Sequence, residues 1–466
     1  MSSNPEWSFE TRQIHVGQAP DAETGARALP IYQTTSFVFP STESAANRFA
    51  LAELAPIYTR IGNPTQDAVE QRIASLEGGA AALLLSSGQA ATTYSVLTVA
   101  EAGDHVVASA SLYGGTYNLF KHTLKKFGIE TTFVEDPDSI EEWKAAARPN
   151  TKAFFAESVS NPRQNVLDIE AVAAAAHGAG VPLIVDNTVA TPYLLNPLAH
   201  GADVVVHSAT KYLGGHGSAI AGVIVDGGTF DYARDPERFP GFNTPDESYN
   251  GLVFARDLGV GGILGANLAY ILKARVQLLR DLGSAVSPFN AFLIAQGLET
   301  LSLRVERHVA NAQKVAEWLE ARDDVASVAY AGLASSPWHG LGKKYAPKGT
   351  GAIVSFELAP RTGGSAPSAA AAADAGRAFV DALALHSHVA NIGDVRSLVI
   401  HPASTTHAQL TEEQQRAAGV TPGLVRLAVG IENIADILAD LEAGFAAAAA
   451  VAGAAQAAEP AAEPVA

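Results

Sequence analysis

Short apolar runs alternating with segments of helical length predict an α/β protein: a large unit with a mostly parallel sheet flanked by helices, then a smaller C-terminal α/β unit. Three observations carry this expectation. Seven strand-like runs follow one another after residue 66: AALLLSSG, HVVASASLY, TTFVE, KAFFAESVS, VPLIVDN, ADVVVHS and IAGVIVDGG. Helix-length stretches such as DIEAVAAAAHGAG separate most of them. A second set of strand-like runs, DVASVAY and GAIVSFEL, begins only past residue 320.

Taken in order, residues 1–65 are rich in Pro, Thr and Gly and show no sustained periodicity. TQDAVEQRIASLEGG has apolar residues at helical spacing and a glycine stop, so it opens the large unit as a helix. The large unit is expected to span 66–284, with a Gly-rich irregular stretch at about 227–265. The smaller unit, 285–446, starts with one long helix near 290–320. RTGGSAPSAAAAADAG reads as a loop running into a helix, and NIADILADLEAGFAAAAA as the last helix. The Ala-rich tail, 447–466, is expected to be disordered.

Composition excludes several classes of function. A chain of 466 residues with 48% hydrophobic residues can build a large soluble core. Its formal net charge of −17 disfavours nucleic acid and anionic membrane surfaces, which need a basic face. The first twenty residues lack the basic and apolar regions of a signal peptide, and no stretch is apolar enough to span a bilayer, so a cytoplasmic protein is expected. With no cysteine there are no disulfides, thiolate metal sites or cysteine nucleophiles. No metal site is expected either: His401 and His407, six apart in HPASTTH, lack the helical ligand spacing of four and read as structural. Met1 is the one methionine, which fits drift in an Ala-rich chain and, alternatively, sulfur economy.

The chemistry points to VVVHSATKYLGGHG. A lysine is ordinarily a solvated surface residue, but Lys211 follows a buried-looking strand and sits between hydroxyls and a glycine-rich loop. A desolvated lysine loses its charge readily, as carbonyl chemistry requires, while Ser208, Thr210 and nearby backbone N–H groups suit a phosphate. Asp186 ends another strand twenty-five residues earlier. Alone it reads as a turn aspartate; with Lys211 it matches the needs of pyridoxal 5'-phosphate (PLP), a lysine for the carbonyl and a carboxylate beside the pyridine nitrogen. In SSGQAAT, Gly88 opens a helix whose free N–H groups suit an anion. Tyr113 of SLYGGT stands at a strand end where it can stack on a flat ring. No P-loop, no G-x-G-x-x-G fingerprint and no G-x-S-x-G elbow occurs, which disfavours a nicotinamide-dependent oxidoreductase and an α/β-hydrolase.

IYTRIGNPT, ASLEGGAAALLLSSGQAA, SLYGGTYNLF, ESVSNP, VPLIVDNTVATPYLLNPLAHGADVVVHSATKYLGGHG, SLVIHPASTTH and GLVRLAVGIE closely resemble the Cys/Met-metabolism family of PLP enzymes. The likeness runs from about Phe9 to Phe445. It implies the PLP-dependent transferase fold of type I and PLP as cofactor. Residue by residue, it implies that Lys211 carries the cofactor as a Schiff base, Asp186 partners the pyridine nitrogen and Tyr113 stacks on the ring. Asn161 matches the amide near the phenolic oxygen, and Gly88, Gln89, Ser208 and Thr210 match phosphate ligands. Several family members have methionine where Gln89 stands, so its backbone role carries over. Tyr58 and Arg60 match phosphate ligands that reach in from a neighbouring subunit, which implies a homo-oligomer with a dimer as the minimum active unit and a tetramer as the full assembly. Arg426 matches the substrate-carboxylate clamp; Asn391 stands where the family's lyases commonly have serine.

YGGT in place of the lyases' YGCT, with the insertion ERFPGFNTPDESYNGL, points to γ-replacement, in which sulfide displaces acetate from O-acetyl-L-homoserine. The family also holds cystathionine γ-synthases and methionine γ-lyases.

Overall fold

The computed structural model describes residues 7–359, 368–406, 408, 411, 415 and 419–458. These form two compact units, one of Met1–Ser158 with Leu167–Ser302, the other of Val159–Val166 with Leu303–Ala466.

The first unit is built on the seven runs read from the sequence. They form β1 (Ala81–Leu85), β2 (His105–Ser109), β3 (Glu130–Val134), β4 (Thr151–Glu157), β5 (Leu183–Asp186), β6 (Val204–Ser208) and β7 (Gly222–Asp226). Their order in the sheet is β1-β7-β6-β5-β4-β2-β3. β7 alone runs antiparallel to its neighbours β1 and β6, and every other pairing is parallel. β1, β2, β4, β5 and β6 therefore all point the same way and end on one edge of the sheet. β2, β4 and β7 are buried along their whole length, as strands covered on both faces must be.

The helix Pro64–Glu77 leads into β1. Asn63 caps it by accepting the Thr65 N–H at 2.9 Å, Pro64 fills the first turn and Gly78 closes it at φ 75°. The helix Pro288–Glu299 packs against it, and that contact explains one departure from the sequence reading. The single helix expected near 290–320 is two, Pro288–Glu299 and Leu301–Glu320, parted at Thr300. Gly297 is the reason the first stays with the large unit: a Cβ there would lie 2.3 Å from the Gly214 carbonyl oxygen. The division accordingly falls between Ser302 and Leu303 rather than at 285.

The second unit holds a five-stranded sheet, β10-β11-β12-β9-β8, built from β8 (Val325–Ala329), β9 (Ile353–Leu358), β10 (Ser387–His388), β11 (Leu398–Ile400) and β12 (Leu424–Ala428). Phe356, Phe379 and Phe445 pack edge-on and tilted in its core. The loop expected at RTGGSAPS lies outside the described residues up to Pro367; the helix after it is Ala369–Asp381. The last helix, Ile434–Ala458, runs well into the Ala-rich segment expected to be disordered from 447. Alanine has the highest helix propensity, and that preference carries the helix on where composition alone suggested a tail.

Candidate functional site

Because the parallel strands end together, the residues that follow them meet on one edge. Gly88 and Gln89 follow β1, Tyr113 follows β2, Asp186 ends β5, and Ser208, Thr210 and Lys211 end or follow β6. Ligands of open parallel sheets bind at this edge.

The Lys211 turn is fixed from both sides. Thr210 exchanges hydrogen bonds with Ala221 at the start of β7, its Oγ1 donating to the carbonyl at 3.2 Å and accepting the N–H at 3.1 Å. The Gly215 N–H donates to the Lys211 carbonyl at 2.7 Å, and Gly215 and Gly217 take φ of 76° and 64°, open to glycine at little cost. Lys211 itself is half-buried. Gly214 lets the helix Pro288–Glu299 close on the turn, since a Cβ there would lie 2.9 Å from Ile294 Cδ1.

Gly88 opens the ten-residue helix Gly88–Leu97, capped by Ser87, whose Oγ accepts the Ala90 N–H at 3.1 Å. A Cβ on Gly88 would lie 2.6 Å from the Ser208 Cβ, so only glycine lets this helix end reach β6. The approach sets the helix N-terminus beside the Ser208 hydroxyl, a cradle that fits a phosphate, while the Thr210 hydroxyl is bonded to Ala221.

Asp186 accepts the Thr188 N–H at 2.9 Å, and Thr188 Oγ1 accepts the Ser208 N–H at 2.8 Å. Although Asp186 keeps some exposed surface, its carboxyl lies deep. Burial pushes its pKa up, against the opposing pull of the Thr188 hydrogen bonds and the His207 charge. A carboxyl held this way gains most from a protonated ring nitrogen as neighbour. Tyr113 is 53% exposed, an aromatic face turned to solvent at the mouth of the edge.

Two residues at this edge went unnoticed in the sequence. Glu157, the last of β4 and in register with Asp186, accepts the Tyr113 backbone N–H and so fixes where that ring starts. Thr188 links Asp186 to Ser208. Both lay within quoted motifs, ESVSNP and IVDNTVATP, but their bonds go to backbone groups, which side-chain chemistry does not signal.

Tyr58 and Arg60 sit apart from this cluster. The Arg60 guanidinium stacks over the Tyr58 ring at 5.5 Å and donates to the Arg280 carbonyl. Both line a cavity of about 770 Å³ with Phe37, Phe39, Arg280 and Leu282. Among the described residues no hydrogen bond joins them to Gly88, Ser208 or Thr210.

In the second unit Arg426, on β12, donates from Nη1 to Asn161 Oδ1 at 3.3 Å and from Nη2 to the Asn391 carbonyl at 3.2 Å. The structure thus brings together the three residues expected to serve substrate and ring oxygen, Asn391 through its main chain. His401 is buried, its Nδ1 paired with Ser404 Oγ and its Nε2 with the Pro422 carbonyl, both at 2.7 Å, a structural histidine as expected. His407 lies outside the described residues.

Comparison with known proteins places this geometry. A family profile described as Cys/Met metabolism PLP-dependent enzyme matches residues 10–446. The O-acetyl-L-homoserine sulfhydrylase of Corynebacterium glutamicum is 55% identical over 440 residues, 94% of this chain and 96% of that protein. The enzyme of the same name from Leptospira meyeri is 52% identical over 434 residues, 92% and 94% of the two chains. A Campylobacter jejuni crystal structure, assigned as an O-acetylhomoserine (thiol)-lyase with a pyridoxyl-lysine phosphate, shares 41% identity at a TM-score of 0.87. It covers 94% of this chain and all of its own. The fold class expected from the sequence is borne out.

Proposed function

The chain belongs to the Cys/Met metabolism family of PLP-dependent enzymes, and from that premise we propose that it converts O-acetyl-L-homoserine and sulfide to L-homocysteine and acetate. The observation that carries the assignment is the placement of Asp186 at the end of β5 and of Lys211 just past the end of the adjacent parallel strand β6, beside the Gly88–Ser208 cradle. Relatives at 55% and 52% identity, named for this reaction, support the substrate.

When bound, PLP supplies an electron sink for the carbanion formed at the substrate's α-carbon. The residues of the chain do the rest. Lys211 would hold the cofactor through Nζ, and the same Nζ would be the base that takes the substrate's α-proton. Asp186 keeps a proton on the ring nitrogen. Gly88, Gln89, Ser208 and Thr210 hold the phosphate, and Asn161 the ring oxygen. Tyr113 packs on the ring and is the candidate to pass a proton during loss of acetate. Arg426 orients the substrate carboxylate with two parallel hydrogen bonds, the function of a planar guanidinium. Sulfide then adds at the γ-carbon that acetate has left.

The test is direct. Purified protein with PLP should be yellow, lose the colour with borohydride, and release homocysteine from O-acetyl-L-homoserine and sulfide well above any α-ketobutyrate. Dominant α-ketobutyrate would favour a lyase, and a preference for cysteine over sulfide a cystathionine γ-synthase.

The working enzyme is a cytoplasmic homo-oligomer, a homotetramer whose minimum active unit is a dimer, with Tyr58 and Arg60 completing a neighbour's phosphate site. The bonding of Arg60 to Arg280 rather than to the cradle supports this reading. Mixing Lys211→Ala with Arg60→Ala chains under conditions of subunit exchange should then restore about a quarter of all sites, one intact site in each mixed dimer. With sites inside single chains, nothing would be regained.

A further inference from the structure

Three strand ends at the site edge, those of β4, β5 and β6, are tied together by residues next to Glu157, Asp186 and Ser208. Ser158 follows Glu157, Asn187 follows Asp186, and His207 precedes Ser208. Side chains alternate across a sheet, so these three neighbours share the face opposite to Asp186 and Ser208. There they form one buried network. Ser158 Oγ donates to Asn187 Oδ1 at 2.7 Å, and Asn187 Nδ2 donates to Glu77 Oε1 at 3.0 Å and to the Leu195 carbonyl at 2.9 Å. His207 Nε2 pairs with the same Glu77 oxygen at 2.6 Å.

Glu77 is in an expensive place for a carboxylate. Its side chain is fully buried, as is that of His207. It is also the last residue of the helix Pro64–Glu77, where the helix dipole repels negative charge. Packing alone would be better served there by an apolar side chain of similar size. Only the residues around it make sense of the position: Glu77 receives donors from the ends of β5 and β6 together, the two strands that deliver Asp186 and Lys211.

We propose that Glu77 is a positioning residue for the cofactor site, whose carboxylate, through Asn187 and His207, sets the spacing and orientation of Asp186 against Ser208 and the Lys211 turn. The inference rests on the functional reading above.

Glu77→Gln keeps the size of the side chain and replaces one carboxyl oxygen with an amide NH2. Apoprotein is titrated with PLP, the visible circular dichroism of the bound cofactor is recorded as a report of ring orientation, and kcat and KM are measured separately. The expected result is PLP binding weaker by about tenfold, an altered dichroism band and a fall in kcat larger than any rise in KM. His207→Gln, which keeps a donor toward Glu77 and removes the ring, should change all three in the same direction and decides the matter if Glu77→Gln does not fold. Wild-type PLP affinity, dichroism and kcat, with only a lowered melting temperature, would overturn the proposal and leave Glu77 a purely structural residue. Wild-type protein that takes up no PLP would instead overturn the functional reading, and the inference with it.

Discussion

The two edges of the seven-stranded sheet both carry buried carboxyls raised by burial, yet the groups around the two differ. At the edge where the parallel strands end, Asp186 shares its place with half-buried Lys211, half-exposed Tyr113 and the N-terminus of the helix Gly88–Leu97. At the opposite edge Asp226, which ends the antiparallel β7, is pushed up to about 7, burial acting first and the charge of Asp203 adding to it. One Asp226 oxygen accepts the Gly228 N–H at 2.9 Å and the other has no hydrogen-bond partner. Its surroundings are sealed: Tyr232 and Tyr270 are buried, and Tyr232 stacks on Phe242 at 4.1 Å. A perturbed carboxyl therefore marks a site only when the groups beside it remain within reach of a ligand. The difference follows from strand direction, since a strand running backwards brings its last residue to the edge where its neighbours begin.

The largest test of this contrast is Lys211→Ala. On the proposed reading this removes the cofactor-bearing amine and the base together, so turnover should fall by about 10³-fold or more, with little change in melting temperature. Appreciable turnover without an added amine would put the chemistry elsewhere. Next in size is Gly88→Ala. Its Cβ would press on the Ser208 Cβ at 2.6 Å and the Ser208 Cα at 2.9 Å, backbone that cannot swing aside. PLP affinity should fall by about tenfold, since overpacking costs about 1–3 kcal/mol where the cradle closes. Unchanged affinity, read by titration of the apoprotein, would remove the cradle from the phosphate site.

How much of this was legible depends on which physical signal each feature leaves. The seven strands were readable because burial on both faces demands long apolar runs, and Asp186 and Lys211 because each closes such a run with a charge. The antiparallel course of β7 leaves no such mark: IAGVIVDGG is as apolar as its parallel neighbours. Thr300 hides the break between two helices because the apolar spacing continues past it, and the close packing of Gly297 on Gly214 leaves no mark in the sequence. Glu157, Thr188 and Glu77 were missed for a shared reason. Their work is done through backbone groups or on the far face of the sheet, and only coordinates bring those partners together.

The smallest effect belongs to the silent edge. Asp226 holds its proton more tightly folded, at about 7, than unfolded, at the ordinary 3.8. Its contribution to stability is therefore fully present below pH 3.8 and lost as pH rises toward 7, then constant. Between pH 5 and 8 the loss is about 2–3 kcal/mol, at about 1.4 kcal/mol per pH unit. Other groups act in the opposite sense, among them His105 and His308, which burial lowers to about 4. The wild-type profile alone thus cannot isolate Asp226, whereas Asp226→Asn can, because it deletes this one titration and leaves the histidines in place. The melting temperature of the variant relative to wild type should rise by several degrees on going from pH 5 to pH 8. Turnover, measured at one pH with saturating PLP, should stay near wild type, since among the described residues no hydrogen bond joins the Asp226 side chain to the proposed cofactor residues. A constant difference in melting temperature across the range would mean that Asp226 stays ionised when folded. A large loss of turnover would break the contrast between the two edges.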